Sequence, residues 1–100
     1  MIWWPGEVIA FYIKENKMRC TLAADVATAG MLIHFILTGG QHPFGQQVKE
    51  IVDNLMIGKW NLITSDSDVD DLISWMLIFQ PENRPHTSAI VRYRNPTLRF

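Results

Sequence analysis

Apolar residues recur at helical spacing in three segments of the chain, with polar residues between them. A period near 3.6 is typical of an amphipathic helix that packs one face on a core. The pattern predicts helices over residues 46–57, 67–79 and 86–94. Gly58, Pro81 and Pro96 follow these segments as stop signals. The apolar positions are Val48, Ile51, Val52, Leu55 and Met56; then Val69, Leu72, Ile73, Met76 and Leu77; then Ala89, Ile90 and Tyr93.

A fourth segment, VATAGMLIHFIL, is apolar on nearly every face. Asp25 comes directly before it and is a good N-cap, and the Gly39-Gly40 pair is a good C-terminal stop. We therefore predict a helix over residues 25–38. A helix that is hydrophobic all round is normally buried at the centre of a structure. A chain of 100 residues is one domain or part of one, which leaves few other elements to surround this helix.

The remaining segments contain mostly turn residues, and none shows the alternation of a strand. Residues 1–24 are irregular, although Glu7 to Tyr12 could form a short helix after Pro5. QHPFG and KWNLITSDSD are loops, and Ser67 could cap the helix that follows. The predicted fold class is all-α, with about four helices.

Composition and charge exclude several classes of function. Apolar residues make up 48% of the chain and charged residues 19%, which suits a globular core rather than a disordered chain. The net charge of −1 gives no electrostatic basis for nucleic-acid binding. The single cysteine, Cys20, cannot form an intrachain disulfide and is interpreted as a small core residue.

The chain carries no evident targeting or membrane signal. Its start, MIWWPGE, lacks the basic region of a signal peptide. The longest apolar run is shorter than the roughly 20 residues that a membrane span requires. We therefore expect a protein without a membrane contact, in a reducing compartment such as the cytoplasm.

No catalytic, cofactor-binding or metal-binding motif is complete in these 100 residues. TGGQHPFG follows a helix rather than a strand, so it fails the structural test for a phosphate-binding loop. The acidic run Asp66, Asp68, Asp70 and Asp71 lacks the glycine and the final glutamate of a calcium loop, and it suits the start of a helix. His34, His42 and His86 are scattered, and we interpret His34 as a packed, hydrogen-bonded histidine.

Five short motifs occur in a distinctive order: WPGE, DVATAG, LTGGQHPFG, DDLISWML and PENRP. Each is weak alone, but together they resemble the C-terminal lobe of a eukaryotic Ser/Thr protein kinase over nearly the whole chain. The compact HPFG, and Ala27 where most kinases have a tryptophan, resemble the stress-sensor kinase/endoribonuclease and 2-5A-dependent ribonuclease branch. The resemblance implies that residues 1–100 are a fragment, a partial kinase domain from the end of the activation segment to the last helix.

The resemblance also assigns roles to four residues. Glu7 matches the glutamate of the Ala-Pro-Glu motif, with Gly6 in place of the proline or alanine, and Arg84 matches the arginine that pairs with it. Asp25 matches the aspartate that holds the backbone of the catalytic loop, and Gly30 the glycine of the same motif. Arginine presents a planar fork of donors that suits a shielded carboxylate.

Three hypotheses follow for the function. The first is a kinase-like fragment that is inactive alone, because the ATP-binding and catalytic motifs are not among these residues. ATP and Mg²⁺ are then expected only for a complete parent kinase, whose missing segments would cover the central helix. The second is a non-catalytic, pseudokinase-like interaction module that binds a protein partner with that helix. The third is an unrelated helical domain, which predicts that Glu7 and Arg84 lie far apart.

Overall fold

The computed structural model describes residues 2–15 and 21–94, and within this part every regular element is helical. The α-helices are α1 (Gly6–Glu15), α2 (Leu22–Leu37), α3 (Val48–Ile57), α4 (Ser67–Met76) and α5 (Thr87–Arg94), and a 3-10 helix spans Pro81–Asn83. The predicted all-α class is confirmed. Helix α1 is longer than the short helix predicted there. Cys20 and the side chain of Tyr93 lie outside the described part, so their predicted core positions stay predictions.

Two predicted caps are wrong. Helix α2 begins at Leu22, three residues before the predicted start, and Asp25 lies in its first turn. Its N-cap is Thr21, whose hydroxyl accepts the Ala24 amide at 3.0 Å, because Leu22 to Ala24 are good helix formers that extend the helix back to an extended Thr21. Helix α4 is capped by Asp66 rather than Ser67, since the Asp66 carboxylate accepts the amides of Asp68 and Val69.

The other boundaries differ by a few residues. Helix α3 begins at Val48 after the N-cap Gln47, and α5 begins at Thr87. Helix α4 ends at Met76, three residues before the predicted end. Pro81 has no N–H to donate to the Leu77 carbonyl four residues before it, so the helix cannot continue. The Ile78 and Phe79 carbonyl groups beyond its end accept hydrogen bonds from Arg84.

The core lies between α2 and the helices packed on it. Its largest cluster of buried residues contains Ile9, Ala27, Met31, Phe44, Ile51, Leu55, Ile73 and Leu77. Helix α2 packs mainly on α4, and α1 packs on α3. A Cβ atom on Gly30 would lie 3.1 Å from the Met76 Cβ, so a residue without a side chain lets α2 and α4 approach closely.

Helix α2 is central but only partly covered. Ala27, Met31 and His34 on one face are buried. Elsewhere on the helix, and mostly in its last two turns, large apolar side chains are exposed to solvent: Leu22, Leu32, Phe35, Ile36 and Leu37. The prediction of a helix whose apolar surface exceeds what this chain can cover therefore agrees with the structure.

Candidate functional site: an arginine clamp and two histidine bridges

Arg84 is held in place by its local sequence. It follows the 3-10 helix, and its amide donates to the Pro81 carbonyl at 3.2 Å. Its backbone is extended (φ −75°, ψ 154°), as favoured for a residue that precedes a proline, here Pro85. The extended backbone takes the side chain out of the helical path and into the interior, where only 2% of it is exposed.

The guanidinium of Arg84 uses all five of its N–H donors. Nη1 donates to Glu7 Oε2 at 2.6 Å and to the Ala23 carbonyl at 3.0 Å. Nη2 donates to Glu7 Oε1 at 2.8 Å and to the Phe79 carbonyl at 3.3 Å. Nε donates to the Ile78 carbonyl at 2.8 Å. One side chain thus joins the start of α1, the start of α2 and the segment after α4, and we call this set of contacts the arginine clamp.

Glu7 completes the arginine clamp from the first turn of α1, where a carboxylate is also favoured by the helix dipole. Its side chain is 28% exposed, so the ion pair is buried on the arginine side and partly solvated on the carboxylate side. The predicted pairing of Glu7 with Arg84 is present across 77 positions of sequence. The unrelated-domain hypothesis predicted that these residues lie far apart, and that prediction is wrong.

The two other residues singled out by the motifs do not join the arginine clamp through their side chains. Asp25 is exposed on the first turn of α2, and Gly30 lies against Met76 and Leu77 of α4. That Glu7, Asp25, Gly30 and Arg84 occupy the family's motif positions stays a prediction.

His34 is fully buried and joins two loops to α2. Its Nε2 accepts the Ile63 amide at 3.0 Å, so the ring proton lies on Nδ1, which donates to the Gln41 carbonyl at 2.9 Å. The predicted packed, hydrogen-bonded histidine is confirmed. The ring fixes the positions of the α2–α3 loop and the α3–α4 loop relative to each other.

His42 forms a second bridge, which sequence reasoning missed. Its Nδ1 accepts the Phe44 amide at 3.1 Å, so Nε2 carries the proton and donates to the Ile2 carbonyl at 2.7 Å. The Trp3 ring lies 4.6 Å from the His42 ring and 5.4 Å from that of Phe35. No sequence signal marks these contacts, because both hydrogen-bond partners are backbone groups that every non-proline residue carries.

An open cavity of about 940 Å³ lies beside the histidine bridges. Its wall includes both histidines, Trp60 and charged residues of α3. No group of three or more His, Cys, Asp or Glu residues suited to a metal ion occurs in residues 2–15 and 21–94. Over the same ranges, no helix has the length and apolar character needed to cross a membrane.

Comparison with known proteins finds relatives among the protein kinases, although no family model matches the chain. The probable serine/threonine-protein kinase ireA of Dictyostelium discoideum is 28% identical over 91% of this chain and 9% of its own length. The serine/threonine-protein kinase/endoribonuclease IRE1 of Hypocrea jecorina is 30% identical over 79% of this chain and 7% of its own. The probable serine/threonine-protein kinase irlC of D. discoideum is 33% identical over 87% of this chain and 6% of its own.

The chain therefore spans less than a tenth of the length of each of these curated relatives. The arginine clamp, the all-α fold and this similarity agree with one another. The chain is related to the serine/threonine-protein kinases, kinase/endoribonucleases among them, and the resemblance to a kinase C-terminal lobe that its motifs indicated is confirmed.

Proposed function

We propose that these 100 residues are the scaffold part of a kinase-like domain and that phosphoryl transfer from ATP to a protein hydroxyl belongs to the complete domain. The observation that carries this proposal is the arginine clamp, which fixes the start of α1 against the segment after α4. A buried arginine with every donor occupied has no capacity left for a substrate. Its contribution is therefore to the positions of the helices.

Catalysis by a protein kinase requires groups that these residues do not supply. A glycine-rich loop, a strand lysine, a catalytic-loop Asp and Asn, and a metal-binding Asp hold and orient ATP and Mg²⁺. None of these motifs occurs in the sequence. The chain alone is then inactive, and ATP and Mg²⁺ are cofactors of the complete domain.

The activity of the purified chain tests this proposal. We expect no phosphate transfer from radiolabelled ATP to a general Ser/Thr substrate protein, and no heat of binding when MgATP is titrated into the chain. A complete protein kinase assayed beside it serves as the positive control. Transfer that grows with the concentration of the chain, and that survives purification to a single species, would contradict the proposal.

A second candidate function is a pseudokinase-like interaction module, and the exposed apolar face of α2 favours it. Leu22 is 80% exposed and Ile36 73% exposed. Apolar surface concentrated on one face marks either an interface or an aggregation site. On this alternative the face binds a protein partner, whereas on the first proposal other segments of a complete kinase domain cover it.

Size-exclusion chromatography with a fluorescent hydrophobic dye tests the exposed face. Both candidates predict that the purified chain binds the dye and elutes larger than a monomer. Co-expression with the kinase domain of a relative, truncated before the segment that matches this chain, separates them. Loss of dye binding on association supports the first proposal, and unchanged dye binding supports the interaction module.

A further inference from the structure

His42 holds the first described residues against the body of the protein. The Ile2 carbonyl accepts from His42 Nε2, and the Trp3 ring packs on the imidazole. One further hydrogen bond anchors this segment, from the Thr28 hydroxyl of α2 to the Trp3 carbonyl at 2.9 Å. The backbone of Ile2 and Trp3 is thus held by one imidazole and one hydroxyl, and their side chains pack on the core cluster, with the Trp3 ring 5.4 Å from that of Phe35.

The hydrogen bonds of His42 require a neutral ring. Nδ1 must have a free lone pair to accept the Phe44 amide, while Nε2 donates its proton to the Ile2 carbonyl. A second proton on Nδ1 would face the Phe44 N–H, so two donors would oppose each other. The ring could keep its bond to Ile2 only by turning away from Phe44, and this rotation would disturb the Trp3 ring packed 4.6 Å away.

The ionisable groups around His42 come from α2, from α3 and from the loop after α3. Helix α2 contributes His34, which is buried with both ring nitrogens occupied. Residues 2–5 contribute no ionisable side chain. The cavity that His42 helps to line also receives charged side chains from α3 and the loop after it: Lys49, Glu50, Asp53 and Lys59. Glu50 accepts the Gln46 amide, and Lys49 lies 3.9 Å from Asp53.

We propose that His42 is a pH-sensitive latch, which holds Ile2 and Trp3 against the α2–α3 loop when its ring is neutral and releases them when the ring gains a proton. The helices stay folded during release, because no helix boundary depends on the His42 ring. The latch goes beyond the kinase assignment and does not depend on it.

The direction of the pH dependence follows from the environment of the ring. Burial of the imidazole lowers the pKa of His42 below its ordinary value of 6.5, the hydrogen bond to Ile2 acts in the opposite direction, and His34 lowers it further. The unfolded chain therefore takes up the proton first as the pH falls. The neutral latch contributes its full stability above about pH 6.5, and the contribution is lost as the pH falls through the lower pKa of the folded state.

Nuclear magnetic resonance of the full 100-residue chain between about pH 7.5 and pH 5 tests the latch. We expect the His42 ring signals to titrate below pH 6.5, with loss of the contacts between the Trp3 and His42 rings and a shift of the Phe44 amide along the same curve. Far-ultraviolet circular dichroism should keep its helical signal throughout. His42→Gln should abolish the pH-dependent change at Trp3, and His86→Gln, at an exposed histidine, should leave it intact.

Two results would overturn the latch. One is a Trp3–His42 contact that persists after the wild-type ring has titrated. The other is a contact that disappears only together with the helical circular dichroism, because this would be global unfolding. Both are read on the wild-type chain, so the test stands even if His42→Gln does not fold.

Discussion

At the scale of single residues, the burial of the Arg84 side chain depends on partners for all five of its N–H donors. Its fork satisfies a carboxylate and three carbonyl groups in an interior where only 2% of the side chain meets water. Removal of one member of a buried ion pair costs about 3–5 kcal/mol, because the remaining group is left uncompensated. Arg84→Ala breaks the hydrogen bonds to three carbonyl groups as well as the ion pair, whereas Glu7→Ala leaves those three bonds in place.

We therefore expect Arg84→Ala to destabilise the chain more than Glu7→Ala, and to lower the melting temperature by more than about 10 °C. Arg84→Lys should recover little, because an ammonium group cannot reproduce the five directed bonds. Lys49→Ala is the matched control, because Lys49 pairs with Asp53 at 3.9 Å with 92% of its side chain exposed. Its melting temperature should stay near that of the wild type.

A double-mutant cycle separates the ion pair from the carbonyl contacts of Arg84. Thermal or urea unfolding of Glu7→Ala, Arg84→Ala and the double variant should give a coupling energy of about 1–3 kcal/mol. Strictly additive effects of the two substitutions would contradict a direct interaction between Glu7 and Arg84.

At the scale of elements, the close approach of α2 and α4 depends on Gly30. A Cβ at this position would lie 3.1 Å from the Met76 Cβ and 3.3 Å from Leu77 Cδ2. Gly30→Ala gains about 1 kcal/mol of helix propensity, which offsets part of this crowding. Gly30→Val loses most of that gain, and overpacking costs roughly 1–3 kcal/mol.

We expect urea unfolding to rank the variants with Gly30→Val clearly below wild type and Gly30→Ala between them. Leu32→Val is the control, because it places a β-branched residue on the same helix at a position that is 41% exposed. A loss for Gly30→Val no larger than that for Leu32→Val would contradict a tight contact between Gly30 and α4.

The elements also show which helices and contacts the sequence could predict, and why other contacts could not be predicted from it. Helices α3 and α4 follow from periodicity, since one apolar face had to be buried. The pairing of Glu7 with Arg84 followed from motif order. The cap at Thr21 was missed because Asp25 is an equally good cap by residue type, and only the helix-forming residues between them decide the start. His42 was missed because its partners are backbone groups.

At the scale of the whole molecule, the chain has more apolar surface than it can bury. The apolar pattern of α2 predicts burial on nearly every face, whereas the described elements cover only the face that carries Ala27, Met31 and His34. Among the described elements, α2 carries the largest share of this exposed apolar surface, although exposed apolar side chains also occur elsewhere, at Tyr12, Ile13, Val48, Ile57, Ile63 and Phe79. Because these exposed apolar side chains of α2 lie outside the buried core, we predict that substitutions there change the self-association of the chain without changing its free energy of unfolding.

Charged residues on the exposed face of α2 should separate the two properties. We expect Leu32→Glu combined with Ile36→Lys to reduce dye binding and self-association, because both side chains are 41% exposed or more and their replacement removes apolar surface from water. The pair has opposite charges four residues apart, so the helix itself loses little, and the melting temperature should stay close to wild type. Chromatography, dye fluorescence and thermal unfolding of one preparation measure self-association, dye binding and the melting temperature.

Ile9→Lys is the contrasting variant, because Ile9 is fully buried and its substitution should unfold the chain. A surface double variant that melts as early as Ile9→Lys would show that α2 needs this face for its own folding, and it would contradict the separation of stability from association.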